Sequence, residues 1–338
     1  MKTLLIRADA TPRMGTGHVM RCLALAQAAR KQGWNVHLIC RLGVDWLHER
    51  LKREKIHLHL LPDSPPTREK PDDLLRQLQG ESLPLPEKHD KPIWVVLDGY
   101  HFDATCQKAV SSARYRLLVI DDYAHLPEYH CDLLLNQNFG AEQLAYNGSI
   151  GRMLLGLDYV LLRQEFLLAR KKALQRIRPA RPKKILITLG GGNFIEYLEK
   201  IAGDMTIPEL TGRSLRVIQG SMDAKRIRAA FANCPGKLEI LPRVDNMPSL
   251  LLDTDLCITA GGSTCWELCC LGVPFLTIAA ADNQRNICYW LAHNGIAPYF
   301  SKEALVSILI EQQNKPGYTH YRLVDARGAR RVLDSCAY

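Results

Sequence analysis

The sequence lacks a hydrophobic run long enough to cross a membrane. A transmembrane helix needs roughly 18 consecutive apolar residues, and no run in this chain approaches that length. The amino-terminal segment holds Arg7 and Asp9 within its only apolar stretch, which differs from the apolar core of a secretory signal peptide. We therefore expect a cytoplasmic protein with no stable membrane insertion.

The sequence also lacks cysteine pairs with the spacing of a metal site, although the chain contains 11 cysteines. No CxxC pair occurs, and no second group of cysteine and histidine complements Cys265, Cys269 and Cys270 at a spacing typical of zinc sites. These three residues lie in an apolar segment, where free cysteine packs as a small hydrophobic side chain. The sequence therefore predicts reduced, buried thiols and no metal site.

Acidic residues are absent from residues 169–184, a stretch with eight of the basic residues that give the chain its net charge of +9. Such a basic run can mark a nucleic-acid or an anionic membrane surface. However, no aromatic side chain is interleaved in the run to stack on bases. We therefore favour a solvated helix and linker between two domains, with no nucleic-acid partner. The remaining positive charge suits an anionic small-molecule substrate.

The chain is long enough for two α/β domains, because 338 residues, 47% of them hydrophobic, can form two separate cores. Short apolar runs alternate with helical patterns in both halves, which is typical of parallel, doubly wound sheets. We predict two Rossmann-like domains whose parallel sheets face a central cleft, where ligands bind at the carboxyl ends of the strands. The predicted parts are residues 1–160 (first domain), 161–182 (basic helix and linker), 183–318 (second domain) and 319–338 (carboxyl-terminal helix).

A glycine-rich turn after the first predicted strand lacks the third glycine of a dinucleotide fingerprint. Gly15 and Gly17 are present, but Met20 occupies the third position, and no acidic residue closes the next strand. The turn therefore does not predict a nicotinamide cofactor, and we expect no cofactor. It places His18 at the start of the helix that follows.

His18 is the candidate catalytic residue. An imidazole titrates near neutral pH, so it can accept a proton from a water molecule that attacks a substrate. The alternative is a histidine that only satisfies the helix start. The flanking glycines, with Asp9 and Arg21 nearby, favour the general base.

A second glycine-rich turn, AGGSTCWE, follows a predicted strand in the other half of the chain. Ser263 and Thr264 open a helix there, and free backbone N–H groups at a helix start bind phosphate. Glu267, one turn later, is placed to accept hydrogen bonds from ribose hydroxyls. The spacing of Thr264 and Glu267 equally fits a capping box, so the residues alone leave both interpretations open.

Other segments that follow predicted strands are candidates to line the same cleft. They are Gly191 and Gly192 in LGGGN, Asp98 and Tyr100 in DGYHFD, and Asn283 and Gln284 in DNQRN. Each has a structural alternative, a tight turn for the glycines and a helix cap for the polar residues. Asp121 and Asp122 end another strand, and two acids can hold a divalent ion, but no other residue supports one.

Taken together, these motifs resemble the UDP-2,4-diacetamido-2,4,6-trideoxy-β-L-altropyranose hydrolases of pseudaminic acid biosynthesis. The resemblance covers essentially the whole chain, through IRAD, GTGHVMRC, DGYHFD, IDDYAH, GLDYVLLRQEF, LGGGN, AGGSTCWE and DNQRN. It implies a GT-B glycosyltransferase-like fold and hydrolysis of the UDP-sugar to UDP and free sugar, with inversion and without a metal. One departure is Ala326, which stands where the family usually has a glycine.

The resemblance also implies roles for individual residues, with His18 as the general base. The residues expected around the sugar are Arg7, Asp9, Gly17, Arg21, Asp98 and Tyr100. The residues expected to contact UDP are Gly191, Gly192, Val244, Met247, Ser263, Thr264, Glu267, Asn283 and Gln284.

Three other functions are compatible with these motifs. A GT-B glycosyltransferase would use a sugar or lipid acceptor in place of water. A hydrolysing 2-epimerase of a related UDP-diacetamido sugar would need a base that removes the proton at C2. A non-catalytic UDP-sugar sensor would keep the glycine loops and Glu267 but would not depend on His18.

Overall fold

The structure is a computed structural model, which describes residues 2–11, 14–62, 67–85, 91–242, 244–310 and 323–337. The chain forms two compact units, Met1–Gln164 with Ala326–Tyr338, and Glu165–Asp325. Each unit contains one parallel sheet flanked by helices, as the alternating strand and helix patterns predict. The boundary after Gln164 falls inside the predicted linker. The predicted end of the second domain at residue 318 lies outside the described residues.

The first unit contains a parallel sheet in the order β3-β2-β1-β4-β5-β6-β7. The strands are β1 (Thr3–Ala8), β2 (Asn35–Cys40), β3 (His57–Leu60), β4 (Ile93–Asp98), β5 (Arg116–Ile120), β6 (Tyr129–Asn136) and β7 (Gly148–Leu155). The helices are α1 (Gly17–Lys31), α2 (Asp45–Lys52), α3 (Pro71–Leu78), α4 (Ala104–Ser112) and α12 (Gly328–Ser335), with 3-10 helices at Ala141–Gln143 and Leu157–Tyr159.

The central strands of this sheet are covered on both faces. Every residue of β1 and β4 is buried, which is typical of a parallel sheet between two layers of helices. Leu4 and Ile6 enter a core shared with α1 and α12. Leu5 points to the opposite face and enters a core shared with α3 and α4. The alternation of side chains along β1 therefore joins both helical layers to one strand.

The carboxyl-terminal helix belongs to the first unit and not to a separate part of the chain. Val332 and Leu333 of α12 are buried in the core that contains α1. Gly328 allows this approach, because a Cβ atom there would lie 2.3 Å from the carbonyl oxygen of Val160. The sequence predicted a helix over residues 319–338, but the described residues 323–327 are not helical, and α12 begins only at Gly328.

The second unit contains a parallel sheet in the order β10-β9-β8-β11-β12. The strands are β8 (Lys184–Thr188), β9 (Ser214–Ile218), β10 (Lys237–Leu241), β11 (Leu256–Ala260) and β12 (Phe275–Ile278). The helices are α5 (Gln164–Ala173), which begins at the boundary, α6 (Ile195–Asp204), α7 (Ala224–Ala230), α8 (Met247–Leu252), α9 (Ser263–Leu271), α10 (Arg285–His293) and α11 (Lys302–Ile310), with 3-10 helices at Pro208–Leu210 and Asp282–Gln284.

The sequence predicted that the basic segment is a solvated helix and linker. Three of its arginines instead bind groups of the second unit, so the prediction of a solvated segment is wrong for them. Arg170 Nη1 donates to the carbonyl oxygen of Cys270 at 2.6 Å, and Arg178 Nη2 donates to that of Leu271 at 3.0 Å. Arg176 forms an ion pair with Asp255 at 2.8 Å. Arginines thus satisfy carbonyl groups at the negative end of α9, where cations are favourable.

Each sheet has one point where the strand order reverses direction. This switch point lies between β1 and β4 in the first unit and between β8 and β11 in the second. Ligands of doubly wound sheets bind at the carboxyl ends of the strands at such points. The loops after these four strands carry most of the motifs that the sequence singled out. Among the described residues, no helix is long and apolar enough to cross a membrane.

Candidate active site and nucleotide site

His18 lies on the first turn of α1 and binds a buried aspartate at the end of β4. The distance from His18 Nδ1 to Asp98 Oδ1 is 2.7 Å, and the His18 side chain is 12% exposed. Because a carboxylate only accepts hydrogen bonds, Nδ1 carries the proton and Nε2 carries the free lone pair. Thr16 precedes α1 as its cap, so His18 does not serve as the helix cap.

Asp98 is held as a carboxylate by Arg21. The Nε and Nη2 atoms of Arg21 each lie 2.7 Å from one Asp98 oxygen, which is a bidentate pair. Burial by itself would raise the pKa of Asp98, but the charge of Arg21 and the hydrogen bonds from Arg21 and His18 outweigh burial and hold that pKa well below its usual range. The ionised carboxylate keeps the His18 ring oriented.

A second carboxylate, Asp122, occupies the other side of Arg21. Arg21 Nη1 lies 2.7 Å from Asp122 Oδ1, and Tyr100 donates its hydroxyl to Asp122 Oδ2 at 2.6 Å. Asn138 Nδ2 donates to Asp122 Oδ1 at 2.9 Å. The Tyr100 ring meets His18 edge to face at a centroid distance of 5.2 Å. Arg21, which was predicted to lie beside the sugar, therefore donates its hydrogen bonds to two carboxylates.

Asp122 and Asn138 complete this cluster, although neither was among the predicted site residues. The acidic pair at the end of β5 offered a signal for Asp122, but Asn138 follows β6 in a loop with no motif of its own. The structure also tests the alternative that Asp98 serves only as a helix cap. Asp98 does not cap the following helix, because Asp103 caps α4. Asp122 instead accepts hydrogen bonds from Arg21, Tyr100 and Asn138.

Arg7 and Asp9 lie in a separate buried ion-pair network. Both side chains are 0% exposed, and Arg7 forms a bidentate pair with Asp9, one arm of which is 2.9 Å long. Arg7 Nε donates to Gln77 at 2.8 Å, and Glu69 and Arg41 close the network. Burial would raise the pKa of Asp9, but the contact with His101 at 3.2 Å and the hydrogen bonds and charge of Arg7 keep that pKa well below its usual range. The contact of Arg7 and Asp9 with the sugar stays a prediction. In the structure, their hydrogen bonds join the end of β1 to Glu69, Gln77 and Arg41.

Gly17 differs from these residues because it is exposed at the start of α1. A Cβ atom at Gly17 would meet no other atom within 4 Å. Packing inside the protein therefore gives no reason for a glycine at this position. Open space beside His18 is compatible with the close approach of a ligand.

In the second unit, α9 begins with backbone groups that no side chain caps. Its cap residue is Gly262, and no side-chain hydrogen bond caps the helix within the described part of the chain. Thr264 lies inside the first turn, so Thr264 and Glu267 do not form the capping box that their spacing allowed. The positive end of the α9 dipole is therefore available to an anion. Glu267 lies one turn later and is buried.

The turn after β12 packs directly against the start of α9. A Cβ atom at Gly261 would lie 2.4 Å from Cys288 Sγ and 2.9 Å from the carbonyl oxygen of Gln284. The glycine therefore permits the close approach of the 3-10 helix that carries Asn283 and Gln284. Gln284 uses its side-chain oxygen to accept from the backbone of Ala280 at 2.9 Å.

The remaining predicted UDP contacts also follow strands of this sheet. Gly191 is exposed and Gly192 is buried in the loop between β8 and α6. Val244 follows β10, and Met247 opens α8, which packs against α9. The fold thus brings the predicted residues to loops at one edge of the sheet. Their contact with a nucleotide stays a prediction.

The cysteine group in α9 is part of the core. Cys265, Cys269 and Cys270 are buried, and burial raises the pKa of the Cys270 thiol to about 11. In the described ranges, no group of three histidine, cysteine, aspartate or glutamate side chains is placed to hold a metal ion. The three thiols are therefore packed in the protein interior as small side chains.

Comparisons with known proteins agree with the motifs and the fold. Residues 185–315 match the glycosyltransferase family 28 C-terminal domain. The chain is 24% identical, over 86% of its length and 97% of the relative, to the UDP-2,4-diacetamido-2,4,6-trideoxy-beta-L-altropyranose hydrolase of Campylobacter jejuni. It is 25% identical, over 86% of its length but only 57% of the relative, to an uncharacterized protein of Methanocaldococcus jannaschii.

The fold is that of GT-B proteins. The MurG structure of Acinetobacter baumannii superposes with a TM-score of 0.65, at 15% identity, over 99% of each chain. The expected class of two Rossmann-like domains is therefore confirmed, as is the expected resemblance to the hydrolase.

Proposed function

We propose that this chain, a distant relative of the altropyranose hydrolase, hydrolyses UDP-2,4-diacetamido-2,4,6-trideoxy-β-L-altropyranose to UDP and free sugar. The reaction would serve pseudaminic acid biosynthesis in the cytoplasm. The observation that carries the proposal is the His18–Asp98 pair, which has the geometry of a general base at the switch point of the first sheet. The similarity over 86% of the chain supports the substrate.

The proposed chemistry is attack of water on the anomeric carbon. His18 Nε2 removes one proton from the water while its oxygen forms the new C–O bond. The bond between the anomeric carbon and the UDP oxygen breaks, and UDP leaves with the electron pair. Attack from the opposite face inverts the anomeric configuration. Asp98 stabilises the imidazolium that forms, and a positioned base contributes roughly 10²–10⁴ in rate.

The second unit would bind the UDP part of the substrate. Negative charge grows on the departing diphosphate, and the backbone N–H groups at the uncapped start of α9 can stabilise such charge. Ser263 and Thr264 add hydroxyl donors, and Glu267 would accept from the ribose. The proposed reaction uses neither a metal nor a cofactor.

Replacement of the base tests the proposal directly. His18→Ala should lower kcat by roughly 10²–10⁴, because the attacking water loses its proton acceptor. The affinity for UDP should stay within about threefold of the wild-type value, because the proposed UDP contacts lie elsewhere. Sugar release is measured by NMR in ¹⁸O water, where the label should appear at C1 of the inverted product and not in UDP.

A matched control is His48→Ala on α2, outside the site. It should retain wild-type kcat. Full turnover by His18→Ala would contradict the role of His18. Binding of the UDP-sugar without turnover by the wild-type protein would favour a transferase that needs an acceptor, or a sensor.

A further inference from the structure

A second histidine at the same edge of the first sheet repeats the arrangement of His18. His125 Nδ1 lies 2.5 Å from Asp121 Oδ1, just after β5. His125 is 11% exposed, and Asp121 is fully buried. As with His18, a carboxylate at Nδ1 fixes the proton on that nitrogen and leaves the lone pair on Nε2.

Asp121 does not need His125 to satisfy its charge. Its oxygens also accept hydrogen bonds from the backbone N–H groups of Tyr123 and Ala124, at 2.9 and 2.6 Å. The hydroxyls of Tyr129 and Tyr146 donate to it at 3.0 and 2.9 Å. Four donors other than His125 therefore hold this carboxylate. A fifth donor adds more to the orientation of the histidine than to the stability of the aspartate.

The other nitrogen of His125 has no partner within the described residues. Its Nε2 atom is buried and makes no hydrogen bond with a described residue. A buried acceptor without a donor costs free energy, on the order of 1–3 kcal/mol. Such a group in a folded protein calls for an explanation. A donor that arrives with a ligand would remove this cost.

One aromatic ring connects His125 to the catalytic histidine. The Tyr100 ring lies 5.2 Å from His18 and 5.1 Å from His125, in edge-to-face contact with both. Tyr123 covers His125 from the loop side at 5.6 Å, next to Ala124, whose φ is +53°. His125 is thus separated from His18 by the width of a single side chain. A sugar bound at His18 beside the Tyr100 ring would therefore lie close to His125.

We propose that His125 is a further sugar-binding residue, whose Nε2 accepts a hydrogen bond from an N–H or O–H group of the substrate. This inference rests on the proposed function, because it assumes that the sugar of a UDP-sugar lies beside His18. A diacetamido sugar carries amide N–H groups and a hydroxyl, and each can serve as the donor. His125 would therefore help to select sugars that present a donor at this position.

Two substitutions separate binding from support of Asp121. His125→Asn keeps a donor close to the Nδ1 position and removes the acceptor at Nε2. His125→Gln places an oxygen acceptor near the Nε2 position and gives up the Asp121 contact. We expect His125→Asn to raise KM for the UDP-sugar about tenfold or more, with kcat and the inhibition constant of UDP less affected. His125→Gln should stay within about threefold of the wild-type KM.

The opposite ranking would overturn the inference. If His125→Asn behaves like the wild type and His125→Gln is impaired, His125 only holds the Asp121 loop. A melting temperature measured for both variants separates folding defects from binding defects. Equal KM values for both variants and the wild-type protein would also contradict sugar binding.

NMR of the full-length His18→Ala protein with ¹⁵N-labelled histidine provides a readout that does not need turnover. UDP-2,4-diacetamido-2,4,6-trideoxy-β-L-altropyranose should shift the Nε2 resonance of His125, and UDP alone should not. If the wild-type protein hydrolyses this UDP-sugar but the resonance stays unchanged, only the inference is contradicted. If the protein neither binds nor hydrolyses it, the proposed function fails, and the inference fails with it.

Discussion

At the scale of single residues, conformation accounts for a departure from the family pattern. Ala326 has a φ of +62°, in the left-handed region that favours glycine. The resemblance to the hydrolases leads us to expect a glycine at this position, and glycine adopts this backbone conformation without strain. The turn at Ala326 leads the chain into α12, so it cannot relax without moving that helix.

Ala326→Gly is therefore expected to stabilise the protein. Removal of the Cβ atom relieves the left-handed strain, which we expect to outweigh the greater freedom of glycine in the unfolded chain by about 0.5–1 kcal/mol. Urea denaturation followed by circular dichroism measures the change. Ala329→Gly, within α12, is the control and should lower stability, because its backbone is helical. A stability of Ala326→Gly equal to or below that of the wild type would contradict the strain.

At the scale of elements, two helix starts present glycines that packing does not require. Gly17 opens α1 beside His18, and Gly262 caps α9. A Cβ atom at either position would meet no protein atom within 4 Å. A helix start that serves only the fold gains stability from a side-chain cap. An open start is instead suited to an anion or a closely packed ligand.

Gly262→Ala tests the phosphate role of α9. The backbone of Gly262 lies in the extended region, which alanine also adopts, so the free energy of unfolding should change by less than about 0.5 kcal/mol. A methyl group at the helix start should nevertheless lower UDP affinity about tenfold, measured by calorimetry. The control is Gly203→Ala on α6, where a Cβ atom also meets open space. Wild-type UDP affinity in Gly262→Ala would exclude close contact of a phosphate with this helix start.

At the scale of the whole molecule, the two ends of the chain share one core. Residues from 326 onward belong to the same unit as residues 1–164, although the second unit separates them in sequence. Val332, Leu333 and Cys336 pack with residues of α1. The first unit therefore reaches its full core only after the last helix has been added.

Leu333→Ala should destabilise the first unit by about 2–5 kcal/mol, the usual cost of a cavity in a core. Hydrogen exchange should increase in β1 and β4, while the strands β8 and β11 of the second unit keep their protection. Arg330→Ala is the matched control on the same helix, because its side chain is 76% exposed. Equal loss of protection in both sheets would show that α12 does not stabilise the first unit selectively.

The sequence indicated the fold class and the turns that carry the candidate site residues because those signals are local. Apolar runs of strand length predicted the central strands, and glycines followed by a helical pattern predicted the turns that hold His18 and Ser263. These features depend on residues within one turn or one strand. They also carried the resemblance to the hydrolase, which the comparisons confirm.

Tertiary structure decided which polar residues meet, because each decisive contact joins residues far apart in the chain. His18 and Asp98 are 80 residues apart, and Arg21 and Asp122 are 101 apart. Their meeting depends on the order of strands in the sheet, which sequence patterns do not specify. The same cause explains why Arg7 on β1 and Asp9 just after it are buried with Glu69 and Arg41. The local sequence therefore indicated which side chains are candidates for the site, and the order of the strands determined which of them contact each other.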